Sequence, residues 1–94
     1  MNLQITWKRA DQGQPLTIGL FTRVDDERIS VEYRSRTREW MLIIRNVRPE
    51  DEGIYQCQIS GKYPGGMSYD VTLNVKSKHI LQLACWYMWM KPFS

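Results

Sequence analysis

Apolar residues recur at every second position through most of the chain. That is the period of strands with one face in a core, and no stretch sustains the 3.6-residue period of an amphipathic helix. Ile5, Trp7 and Arg9 share one parity of a first strand, Leu16, Ile18 and Leu20 that of a second, and Ile29, Val31 and Tyr33 that of a third. Further along, Trp40, Leu42 and Ile44 alternate with Met41, Ile43 and Arg45, and Tyr55, Cys57 and Ile59 alternate with Gln56, Gln58 and Ser60. Val71, Leu73 and Val75 mark one more strand. Turn-forming clusters at 11–15, 25–27, 49–53 and 61–66 separate these runs at the short spacing of an antiparallel sandwich. The pattern predicts an all-β chain.

A length of 94 residues allows one domain. With 43% hydrophobic and 24% charged residues, the chain is too apolar for a disordered tail and too polar for a membrane bundle. A net charge of +3 is too small and too dispersed to mark a nucleic-acid binder. The chemistry is restricted by two cysteines and one histidine, with no CxxC or HxxxH spacing, so no metal site is expected. His79 lies far along the chain from Cys57 and reads as a solvated linker residue, not half of a nucleophile pair. No GxGxxG or GxxxxGK[ST] run cradles a phosphate; the glycines fall in loops such as Pro64-Gly65-Gly66. No catalytic residue and no cofactor is expected, and the chain reads as a binding module, not an enzyme.

Residues 51–57 carry a specific constellation, Asp51-x-Gly53-x-Tyr55-x-Cys57, preceded by Trp40-x-Leu42-x-Ile44 and, fifty positions before Cys57, by Trp7. This resembles a variable-type immunoglobulin domain from strand C to strand G. The resemblance implies that Tyr55 forms the corner hydrogen bond of strand F, that Trp7 is the strand C tryptophan, and that Arg28 pairs with Asp51 at the base of the domain. A narrower likeness lies in Leu16-Thr17-Ile18-Gly19, Arg28-Ile29-Ser30-Val31, Trp40-x-Leu42 and Tyr55-Gln56-Cys57-Gln58-Ile59-Ser60. These runs, within about residues 3–76, resemble the first domain of the defective-proboscis-response, lachesin and IgLON group of neuronal surface proteins. The LTIG and CQIS pieces lean towards the defective-proboscis-response side.

In such domains a strand B cysteine lies roughly a dozen residues before the strand C tryptophan, whereas Trp7 has six residues before it. Residues 1–76 are therefore expected to form a partial Greek-key sandwich lacking strands A and B, with its core open beside strand E. Cys57 is expected to be a buried free thiol without its disulfide partner, and Cys85 to be free as well. Met1–Arg9 has no apolar h-region, so a location at the cell surface is implied by the resemblance for the parent protein and not by a signal peptide here. Residues 77–94 match nothing in the family pattern. The run 80–90 is apolar and aromatic but far short of the roughly twenty residues that cross a bilayer. It reads as an ending without selected function, as a truncated membrane anchor, or as a substitute strand B in which Leu81, Leu83 and Cys85 alternate and bring Cys85 towards Cys57.

On the sheet G-F-C-C′-C″, strand F turns Gln56, Gln58 and Ser60 outward, and strand C turns out Thr6 and Lys8. Strand C′, taken as 16–21, is apolar on both faces near its end, since Phe21 has the opposite parity to Ile18 and Leu20. An apolar patch on a sheet facing water predicts a partner, and Gly19 permits close backbone approach. Ile18, Leu20, Phe21, Gln56 and Gln58 are the candidate contacts, and the resemblance implies that the partner is another immunoglobulin-superfamily surface protein. The alternative is an anionic glycan held by Arg34, Arg36 and Arg38, with Arg45 and Arg48 nearby, against the plain reading of those arginines as charges that protect an edge strand. A truncated isoform with no function is the remaining alternative.

Overall fold

The computed structural model describes residues 4–60, 67–75 and 80–86. Among these residues eight strands form two antiparallel sheets: β1 (Gln4–Arg9), β2 (Pro15–Ile18), β3 (Phe21–Thr22), β4 (Ile29–Arg34), β5 (Glu39–Arg45), β6 (Gly53–Ser60), β7 (Met67–Leu73) and β8 (Ile80–Trp86). One sheet runs β3-β2-β1-β6-β7 and the other β4-β5-β8. The only helical element among the described residues is a 3-10 turn at Pro49–Asp51. The expected turn at 61–66, Lys76, His79 and residues 87–94 lie outside the described residues.

Period-two alternation puts Ile5 and Trp7 of β1, Tyr55 and Cys57 of β6, and Leu42 and Ile44 of β5 between the sheets, where all are buried. Trp7 lies directly across the ladder from Cys57. β4 and β5 form a hairpin in register from Ile29↔Ile44 to Arg34↔Glu39.

The vacancy expected beside strand E is filled. β8 pairs with β5 over seven positions, from Glu39↔Trp86 to Arg45↔Ile80. This directs Leu83 and Cys85 into the core, and Cys85 forms a disulfide with Cys57, their Cα atoms 6.3 Å apart. The expectation of two free thiols is therefore wrong, and so is that of a sandwich without a strand in the B position. The physical reason is the alternation of Leu81, Leu83 and Cys85, which lets a strand late in the chain bury one face in the lane next to β5. The sandwich is assembled in permuted order, with the B lane filled after strand G.

Strand C′ also differs from expectation. It ends at Ile18, and Gly19 and Leu20 form a two-residue turn to Phe21, which belongs to β3. Gly19 has φ +59°, the left-handed conformation that the first central position of such a turn requires. Nor do Leu16 and Ile18 share a face. The register between β1 and β2 shifts at Trp7/Lys8, so Leu16 joins the core while Ile18 opposes Thr6.

Candidate recognition surface

In an antiparallel ladder directly opposed residues share a face. Phe21↔Ile18, Ile18↔Thr6, Thr6↔Gln58 and Gln58↔Ser68 therefore define one row across the five strands. Thr6 alternates with the buried Ile5 and Trp7, so this row lies on the outer face. A second outer row runs Pro15, Lys8, Gln56, Asp70. Phe21 is 74% exposed and Leu20, in the turn, 58%, while Ile18 is half-buried beside them. Four of the five candidate contacts thus occupy these two rows, and Leu20 stands at their edge. Ile54, 46% exposed, opposes Thr72 further along the same face. It was not among the candidates, although its parity with Gln56 and Gln58 placed it outward. A depression of about 550 Å³ adjoins the apolar end, lined by Gln12, Pro15, Leu16, Ile18, Arg23 and Val24 among others.

Charge is sparse in the middle of this face. Lys8 and Asp70 flank Gln56, whereas the row through Gln58 contains no ionic side chain. The two glutamine amides can satisfy an opposing backbone or side chain in either polarity, and no charge needs to be desolvated along that row.

A polar cluster at the base holds the two sheets in register. Arg28, just before β4, donates from Nη1 to Asp51 Oδ2 at 2.8 Å and from Nη2 to Asp51 Oδ1 at 3.0 Å, a bidentate pair. It also reaches Asp26 at 3.1 Å. The Arg48 amide donates to Asp51 Oδ2 at 2.7 Å. The Arg28 guanidinium holds the Asp51 carboxyl below its ordinary range, against the opposing effect of burial. Asp26 is lowered chiefly by the Arg28 backbone amide. Tyr55 donates its hydroxyl to the Asp51 carbonyl at 2.6 Å, the corner bond that the resemblance implied. Burial pushes the Tyr55 phenol above its ordinary value.

Sequence reasoning missed two members of this cluster, Asp26 and, more centrally, Arg9. Its guanidinium donates to the carbonyls of Glu50, Asp51 and Glu52 and to Tyr55 Oη, at 3.0–3.2 Å. The signal was present in the Ile5, Trp7, Arg9 parity, because a cation on an inward-facing position must find acceptors. Gly53 approaches it closely: a Cβ there would lie 2.8 Å from Arg9 Nη2.

The arginines do not form one patch. Arg34 ends β4, Arg36 and Arg38 sit in the turn to β5, and Arg45 lies at the far end of β5. Six residue steps of strand separate the two ends by roughly 20 Å. Arg45 and Arg48 are thus not near the other three, contrary to the expectation. Arg34 is further engaged by Gln82 at 3.4 Å and Glu32 at 3.8 Å.

The immunoglobulin V-set domain model matches residues 1–76. The chain belongs to the immunoglobulin V-set family. Its fold is similar to a chain in the crystal structure of Dpr2 Ig1-Ig2 in complex with DIP-Theta Ig1-Ig3, at 30% identity and a TM-score of 0.73, over 81% of this V-set chain and 34% of that one. A chain of Dpr1 IG1 bound to DIP-eta IG1 matches at 31% identity and TM-score 0.69, over 79% of this chain and 68% of that one. A chain of the ZIG-8-RIG-5 IG1-IG1 heterodimer matches at 32% and 0.71, over 82% and 65%. The V-set chain thus spans about a third of the first of these relatives. No curated protein matches it. The structural neighbours are chains of Dpr–DIP and ZIG-8–RIG-5 complexes, in which one immunoglobulin-domain protein is bound to another.

Proposed function

We propose that this V-set chain is an extracellular recognition module that binds another immunoglobulin-superfamily protein through the outer face of its five-stranded sheet. The observation that carries this reading is the outer row Phe21-Ile18-Thr6-Gln58, apolar and exposed at one end and uncharged throughout. An interface core favours this composition, since apolar anchors gain by burial and glutamine amides can pair across the contact without desolvating a charge. The relatives crystallised as complexes between immunoglobulin-domain proteins support the class of partner.

The test is binding to a panel of immunoglobulin-superfamily ectodomains. Ile18→Asp and Leu20→Asp should each weaken the productive pairing by about 2 kcal/mol or more. Both side chains lie outside the core cluster, so folding should survive. Charge reversal of Arg34, Arg36 and Arg38 to Glu should leave that binding nearly unchanged while abolishing any heparin retention. Loss of the protein partner in the arginine variant, with both apolar variants binding normally, would overturn the proposal.

A further inference from the structure

β4 and β8 are the two edges of the smaller sheet; β4 is joined to β5 by a short hairpin turn, whereas β8 comes from some forty residues further along the chain. It pairs with β5 alone, and its outer edge meets no strand among the described residues. Of its described side chains only Leu83 and Cys85 are buried, while Ile80 is 52% exposed. Leu83 and Cys85 join a core whose largest fully buried side chains, Ile5, Trp7, Leu42, Ile44 and Tyr55, come from β1, β5 and β6. What ties β8 to the opposite sheet is the disulfide to Cys57 on β6.

We propose that β8 is a closing strand latched by Cys57–Cys85, and that reduction releases it from β5 while the remaining two-sheet body stays folded. Both cysteines are buried, and fraying of the edge strand bares the Cys85 sulfur as the point of attack. A dithiol reductant attacks there as thiolate; the Sγ–Sγ bond breaks, and Cys57 leaves as a thiolate that takes up a proton. The reductant's second thiol then displaces Cys85 and departs as a cyclic disulfide. The balance is two electrons and two protons passed to the protein. With the bond intact, the covalent link across a sequence separation of 28 residues suppresses opening by roughly two to three powers of ten. Without it, one ladder and two buried side chains hold β8, too little to keep an edge strand closed at all times. The vacated lane exposes the edge of β5 to pairing. This device is independent of which face binds a partner, because it concerns the inner side of β6.

Hydrogen exchange of the full chain, read by NMR before and after reduction with dithiothreitol, tests it. In the oxidised protein those amides of residues 81–85 that face β5 should be protected. After reduction they should exchange within about tenfold of free-peptide rates, while those of 5–8 and 55–59 keep at least a hundredfold protection. The double variant Cys57→Ala, Cys85→Ala should give the same pattern without reductant. Exchange of β8 and β6 at a common rate in the reduced protein, whether both protected or both lost, would overturn the proposal.

Discussion

Asp51→Asn removes the charge of the base cluster with almost no change of shape. Asp51 accepts two guanidinium bonds from Arg28 and one from the Arg48 amide, and the two ionic side chains are only 10% and 12% exposed. An asparagine keeps one carbonyl acceptor but turns an amide N–H donor towards an Arg28 N–H. One charge-assisted bond, typically worth about 1.5–3 kcal/mol, is lost and another becomes a weaker neutral bond. Breaking a fully buried pair costs about 3–5 kcal/mol. Here Asp26 and the carbonyls of Arg45 and Asn46 still face Arg28, which places the cost at about 2–3 kcal/mol. With a urea slope near 1 kcal/mol/M for a chain of this size, the unfolding midpoint should fall by about 2–3 M. Asp26→Asn is the comparison, since Asp26 is more exposed and its loss leaves the bidentate pair in place; about 1 kcal/mol is expected. A cost below 0.5 kcal/mol for Asp51→Asn, or a larger cost for Asp26→Asn, would refute the reasoning.

The same pair sets the acid limit. Both carboxyls have folded-state values below the ordinary 3.8, so their contribution is present above that value and is lost as pH falls through the lower folded values; urea midpoints should therefore drop below about pH 4. Tyr55 is raised by burial, so its contribution holds below its ordinary value of 10.0 and is lost as pH rises through the folded value, which a phenolate absorbance titration followed alongside unfolding would report. Arg9→Met should cost about 2 kcal/mol in urea unfolding by removing the donor to the Glu50 and Glu52 carbonyls and one of two partners each of the Asp51 carbonyl and Tyr55 Oη, with partner binding intact. Gly53→Ala should destabilise by at least 1 kcal/mol, because φ is +153° and the added Cβ meets the Arg9 guanidinium; in the Arg9→Met background the penalty should shrink.

Much of this fold was legible because local alternation and global burial agree. β1 and β6 show their inward faces directly, and the Asp51-x-Gly53-x-Tyr55-x-Cys57 run carries part of the base cluster. Strand C′ was misread because a register shift between β1 and β2 changes the facing of Leu16 relative to Ile18, and parity within one strand cannot show a bulge made with its neighbour. β8 is one of three readings that the sequence of 77–94 supports. Its alternation is short and embedded in a continuous apolar run, and its partner β5 lies some forty residues earlier, so only the packed sandwich reveals the vacant lane. The cysteine pairing follows from that placement and from nothing local to either cysteine. On the recognition face, the Gly19 turn moves Phe21 onto its own strand yet leaves it opposite Ile18, which is why the candidate contacts assemble despite the wrong strand boundary.

The most direct test of the recognition surface is site-specific photo-crosslinking. A benzophenone side chain replaces either Gln58, in the middle of the five-stranded outer face, or Glu32, whose outward position lies on the opposite sheet. With an immunoglobulin-superfamily partner that binds the unmodified chain, irradiation should capture the partner from position 58 and not from position 32. Capture from position 32 alone would contradict the assignment of the binding face.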